Sequence, residues 1–212
     1  TFLNYKMKRG IRIFILIVTH ILLAMPLRFI FKIESSFEYA RINKNGKYII
    51  AANHPSRLDP FLILAALPLK TFIKLAPFVF VTSDKYLKNW SYKYILIMWG
   101  CVSNKKEKEG KPVEVLIKRL ENNETIFLFP GGELEKEGKL KSPQVGTIYL
   151  EREVKDSYIL PVKVEISNRI NLMNLLKRKI KTKIKFKKEF RHEEFEENLQ
   201  PLANELYNKI IS

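Results

Sequence analysis

The chain has 212 residues, 46% hydrophobic and 12% aromatic, enough for one domain with an appendage and too apolar for wholesale disorder. Its 38 Lys and Arg against 22 Asp and Glu leave a net charge of +16, more than solubility requires, so an anionic partner is implied: nucleic acid, a membrane surface or a phosphorylated substrate. The one cysteine, Cys101, excludes an internal disulfide framework and a thiolate zinc site, and suits a reducing compartment.

The first predicted element is an apolar helix. Ile13–Met25 reads IFILIVTHILLAM, preceded by Lys6, Lys8, Arg9 and Arg12 and followed by Pro26, Arg28 and Lys32. Thirteen helical residues span ~20 Å, against roughly 30 Å of bilayer hydrocarbon. The pattern predicts a helix that dips into one leaflet with its Arg heads at the lipid phosphates. A cleaved signal peptide and a buried core helix are the competing accounts, and no small-x-small cleavage site follows the run.

Past residue 40, short apolar runs alternate with helical patterns. Strands are predicted at Lys47–Ala52, Pro77–Ser83, Thr125–Phe129, Tyr158–Val164 and Lys179–Lys187, and helices at Pro60–Leu67, Asp84–Met98, Pro112–Leu120, Gln144–Val154 and Glu193–Ile211. The last is interrupted or restarted at Pro201. This alternation indicates an α/β fold: a single domain with a central, mostly parallel or mixed sheet flanked by helices. The expected division is a membrane-associated segment over 1–35 and a catalytic body over 36–212.

The chemistry-bearing residues collect after the first of these strands. KYIIAA runs into Asn53-His54-Pro55-Ser56-Arg57-Leu58-Asp59-Pro60, so a histidine stands at a strand end with an aspartate five residues on. Catalytic groups gather at the carboxyl ends of strands in open α/β sheets. A carboxylate on one ring nitrogen fixes the tautomer and stabilises the imidazolium formed when the other accepts a proton. A loop turned by Pro55 can bring Asp59 back to His54. The alternative is that Asp59 is a helix N-cap before Pro60 and His54 an ordinary loop residue.

Asn53-His54-x-x-x-x-Asp59-Pro60 resembles the His-x4-Asp motif of the glycerolipid acyltransferase superfamily, specifically the 1-acylglycerol-3-phosphate (lysophosphatidate) acyltransferases. The resemblance extends from about Tyr48 to Val164 in the family's motif order. It implies His54 as general base, Asp59 as its orienting group, and an acyl thioester of CoA or acyl carrier protein as co-substrate, with no resident cofactor and no metal. Phe129-Pro130-Gly131-Gly132-Glu133 is similar to the family's Phe-Pro-Glu-Gly-Thr-Arg block, which helps hold the acceptor's phosphate. Gly131 stands for the Glu, Gly132 is retained, Glu133 stands for Thr and Leu134 for Arg. Paired glycines after a buried strand let backbone N–H groups converge on an anion, and they are also ordinary turn punctuation. The run from Gly100 to Lys106 is similar to the family's second block, with Lys105 or Lys106 at its Arg position. Ile159-Leu160-Pro161-Val162 resembles the fourth, a strand whose Pro shapes the acyl-donor pocket. Arg57, in the His–Asp loop, completes the substrate-binding candidates.

The last predicted strand carries Lys179, Lys181, Lys183, Lys185 and Lys187 at period two, five ammoniums on one face. Two accounts fit: an edge strand that uses lysine to block aggregation, or a surface that docks on anionic lipid. Nucleic acid is not expected as a partner, because no recognition motif or aromatic interleaving accompanies the charge. The expected protein is a membrane-associated acyltransferase at the cytoplasmic face, with anionic lipids and a lysophospholipid acceptor as partners. The alternatives are a different lysolipid acceptor, a lipid thioesterase or hydrolase, and a non-catalytic membrane-binding protein.

Overall fold

The apolar N-terminal run extends well beyond its hydrophobic centre. In the computed structural model, which describes residues 9–38, 42, 46–88, 94, 96, 97, 99–105, 111–132, 142–168, 170–177, 179–191 and 198–212, helix α1 spans Arg9–Phe31. Its 23 residues measure ~35 Å, and it continues through Pro26. It is one helix long and apolar enough to cross a membrane, by length and composition alone. The premise that the run is too short to span is therefore corrected; Lys6 and Lys8 lie outside the described residues.

Chain order then gives β1 (Ile33–Phe37), β2 (Lys47–Ala52), α2 (Asp59–Ala66), α3 (Leu69–Leu75), β3 (Phe78–Thr82), α4 (Asp84–Lys88) and β4 (Cys101–Ser103). It continues with α5 (Pro112–Glu121), β5 (Thr125–Leu128), α6 (Gly146–Glu153), β6 (Ser157–Ile166), α7 (Leu172–Leu176), β7 (Thr182–Phe186) and α8 (Gln200–Ile211). The strands form one mixed sheet in the order β1-β7-β6-β2-β5-β3-β4. All neighbours are parallel except β6 and β7, so β1 and β7 run against the rest.

The central strand shows why this arrangement forms. Five of the six residues of β2 are buried, and successive side chains feed opposite layers: Ile50 and Ala52 enter one apolar cluster, Ile49 and Ala51 the other. The first layer holds α1, α2 and α3, through residues such as Leu16, Phe31, Leu62 and Phe72. The second holds α5, α6 and α8, through Leu116, Ile148 and Leu206.

Four described elements escaped the sequence patterns: β1, β4, α3 and α7. The first reads Ile-Glu-Ser-Ser-Phe, mostly exposed, and exists because β7 supplies its hydrogen bonds. The predicted final strand shortens to β7 itself. It is not an edge, since β1 and β6 flank it, so the edge-protection account of its lysines fails. Lys187 is buried, its Nζ donating to Ser212 Oγ, so the expected five-lysine exposed face is also one short. The predicted helix over Asp84–Met98 is described only as α4 and isolated residues, and residues 192–197 of the predicted last helix lie outside the described residues.

Candidate active site

The loop after β2 closes on itself through Asp59. Helix α2 begins at Asp59, its N-cap is Leu58, and no side chain caps it, so the N-cap reading of Asp59 is corrected. Its fully buried carboxylate points back along the chain instead. Oδ2 accepts the Ser56 N–H at 2.8 Å and lies 2.8 Å from His54 Nδ1. Neutral histidine bonded in this way carries its proton on Nδ1, which leaves Nε2 as the acceptor. Pro60 in the first helical turn costs nothing there, since its missing N–H would have no helical partner.

Two residues not assigned a role from the sequence shape the surroundings of the imidazole, one by stacking on it and one by fixing the strand end that carries it. The Phe129 ring stacks on it with centroids 4.0 Å apart and 18° between planes. Asn53, buried, uses its side chain to donate to the Val164 carbonyl (2.9 Å) and accept the Val164 N–H (2.6 Å), tying the end of β2 to β6. The signals were present: an aromatic residue closing an apolar strand, and an amide side chain directly before the histidine. The His54 side chain remains 19% exposed, so the pair opens to its surroundings at the carboxyl end of the central strand.

The glycine turn follows Phe129 directly and therefore stands beside the imidazole. Gly132 N–H donates to the Phe129 carbonyl at 2.8 Å, and Gln144 N–H donates to the Pro130 carbonyl at 2.8 Å. Gly132 sits at φ +73°, where a Cβ would also overlap the Gln144 side chain. The expectation that both glycine amides converge on an anion is corrected to this extent: that of Gly132 is committed to its own turn. Glu133 lies outside the described residues.

The other candidates are spread around the same sheet end. Arg57 is exposed in the His–Asp loop. Lys105, exposed and just past β4, lies three strands from β2, ~14 Å at strand spacing; Lys106 is outside the described residues. Pro161 lies inside β6, opposite Ala51. Its carbonyl accepts the Lys187 N–H just beyond the β6–β7 ladder, so the missing N–H falls where no ladder bond is needed. Strand alternation turns its ring to the layer of α5, α6 and α8. Cys101 is buried, and burial pushes its thiol up to about 12, so it stays protonated and takes no acyl group at neutral pH.

A cluster at the opposite end of the strands, where β3 and β5 begin, positions α1. The buried Arg12 guanidinium pairs with Glu124 Oε2 at 2.6 Å and donates to the Phe78 carbonyl, while Arg119 takes the other carboxylate oxygen of Glu124 at 2.9 Å. At the other end of α1, Arg28 donates to the carbonyls of Ala65, Ala66 and Leu67. Arg12 is buried in protein, which corrects its expected place at lipid phosphates, while Arg28 is exposed and bonds the carbonyls that end α2.

A family model described as Acyltransferase matches residues 35–165. Among solved structures, the 1-acyl-sn-glycerophosphate (LPA) acyltransferase PlsC from Thermotoga maritima superposes with a TM-score of 0.70 at 17% identity, covering 99% of this chain and 83% of that one. That likeness is one of fold. No curated protein matches the chain.

Proposed function

Because the chain belongs to the acyltransferase family, we propose that it transfers a fatty acyl group from a CoA or carrier-protein thioester to the free hydroxyl of a lysophospholipid, 1-acylglycerol 3-phosphate, yielding phosphatidate. The observation that carries this reading is the 2.8 Å hydrogen bond between His54 Nδ1 and a fully buried Asp59 at the mouth of the central strand. In the reaction Nε2 takes the hydroxyl proton as the oxygen attacks the thioester carbonyl. The C–O bond forms, the C–S bond breaks, and the proton passes from the imidazolium to the departing thiolate. Asp59 and the Phe129 ring keep the imidazole in one tautomer and one plane. A thioester is activated enough for direct transfer, so the scheme needs no covalent acyl-enzyme and no resident cofactor.

Head-group recognition is assigned to Arg57, Lys105 and Lys106, with the Gly131 amide and Glu133 at the turn and Pro161 on the donor side. Support for the cationic members is chemical: Arg binds phosphate in a bidentate manner and Lys as a point charge. Attachment to the cytoplasmic face of the membrane is assigned to α1, as an in-plane helix belonging to the segment 1–35, with the body over 36–212. Supporting this is the division of α1 into two sides. Arg12, Leu16, His20, Ala24 and Phe31 face the protein, while Phe14, Leu22, Met25 (79% exposed) and Phe29 face outward.

His54→Ala is the direct test. Lysolipid-dependent product formation is expected to fall by at least ~10²-fold, the scale of a general base. The melting temperature is expected to hold, because Asp59 keeps the Ser56 N–H. Activity that persists would reject the base, and thiol release without lysolipid would mark a hydrolase instead.

A further inference from the structure

The lysines of β6 and β7 stand on the opposite side of the sheet from α1. Ile184 and Phe186 of β7, with Val162 and Val164 of β6, belong to the layer that holds α1 and α2. Alternation then turns Lys183, Lys185 and Lys163 to the other face, where Lys163 lies opposite Lys185 and Glu165 opposite Lys183. Glu34 of β1 lies opposite Lys183, and Lys209 of α8 and Glu38 lie with Lys163 and Lys185 around Lys187. Counting the buried Lys187, five ammoniums thus meet three carboxylates, Glu34, Glu38 and Glu165, and Lys163 is already paired with Glu165 at 2.9 Å and donates to the Ser212 carbonyl. The hydrogen bond from Lys163, with the charges of Lys163, Lys185 and Lys183, holds the Glu165 carboxyl below its ordinary range, so Glu165 stays ionised and the positive character of the group rests on its excess of ammoniums over carboxylates.

This face cannot share a flat bilayer with the outer side of α1. A helix layer about 10–12 Å thick and the sheet itself stand between them, more than the ~8 Å over which salt lets charges act. The lysines are nonetheless close to the chemistry. Asn53, next to His54, bonds Val164, which sits between Lys163 and Glu165, and β7 is two strands from β2. The accessible part of this face is the stretch of β7 and β1 beside α8, with Lys183 exposed and Lys185 half-buried; it is a surface and not an enclosed cleft among the described residues, which suits a broad partner better than a nucleotide.

Resting on the acyl-transfer reading above, we infer that the β6–β7 lysine face docks an acidic protein that carries the acyl thioester, an acyl carrier protein, which approaches from the side away from the membrane. The lysines pair with its carboxylates, and its flexible thioester arm crosses the carboxyl end of the sheet to His54.

The test compares the full chain with its Lys183→Glu/Lys185→Glu variant. Binding is read by fluorescence anisotropy of labelled holo acyl carrier protein without an acyl group, so it needs no turnover. The variant is expected to weaken binding by about tenfold or more, and added salt to weaken it for the parent chain. With acyl carrier protein as donor KM is expected to rise by about the same factor, while kcat and KM with acyl-CoA stay within about twofold and partitioning onto anionic vesicles is unchanged. Carrier binding that ignores the charge reversal overturns the inference. So does a parallel loss with acyl-CoA, which marks a structural effect, or a loss of vesicle partitioning, which marks a lipid surface. If the carrier binds as described and neither donor supports transfer, the acyl-transfer reading fails and the docking surface stands.

Discussion

Arg12 illustrates how a single residue acquires a role its neighbourhood in the chain does not suggest. It flanks an apolar run, yet its guanidinium is buried against Glu124, 112 positions away. Burial alone pulls the basicity of Arg12 down, and the adjacent Glu124 carboxylate pushes it back up. Gly100, at φ +84°, leaves the space: a Cβ there would overlap both the Arg12 guanidinium and the Phe78 carbonyl. Arg12→Leu is expected to cost about 3 kcal/mol, the lower end for breaking a buried pair, because Arg119 stays with Glu124. Urea unfolding of the two chains checks this. A difference below about 1 kcal/mol, the value of an exposed pair, would mean the site is wetter than its burial indicates. The His54–Asp59 pair is the reverse case, since it is contained within one short loop, with four residues between the partners.

At the scale of elements, α1 is two surfaces on one helix. Its inner stripe recurs at four-residue steps, Arg12, Leu16, His20 and Ala24, and His20 stacks on Phe72 of α3 at 4.1 Å. Its outer stripe is apolar and covered by none of the described residues. Substituting Phe14→Glu and Leu22→Glu together touches only the outer stripe. Vesicle partitioning is expected to fall by about tenfold or more, since each lost apolar side chain removes roughly 1.5–3 kcal/mol of burial, with the fold unchanged by circular dichroism. Equal partitioning of parent and variant would reject the in-plane anchor. The pattern of apolar residues showed the helix but not its two sides, because apolar side chains occupy both.

For the molecule as a whole, the same stripe makes α1 part of the core. Leu16 and Phe31 are buried in the layer that also holds Leu62, Phe72 and Phe186, and β1 follows directly into the sheet. Deleting residues 1–32 is therefore expected to do more than release the protein from membranes. It uncovers that layer, and the remainder is expected to lose its cooperative thermal transition and bind a hydrophobic dye. A deletion variant that melts sharply near the parent temperature would show that α1 is an attachment on an independent body. The layered arrangement also sets the traffic around the site, with the apolar outer face of α1 on one side of the sheet and the lysine face on the other.

Sequence by itself determined what short-range chemistry encodes. Apolar strands alternating with helices specified an α/β sheet, and Asn53 to Pro60 specified a histidine and a carboxylate within one turn of each other, because side chains five residues apart across a tight loop have few places to go. It also carried the family resemblance over the stretch where the family model matches. The tertiary structure alone decided direction and partnership. It turned Asp59 away from capping, committed the Gly132 amide to its own turn, buried Arg12 and Lys187, and gave β7 a neighbour on each side. Each of these depends on a group that arrives from a distant part of the chain or on which of two sheet faces a residue occupies. Periodicity specifies that alternate residues point to opposite faces, but only packing decides what lies on each side.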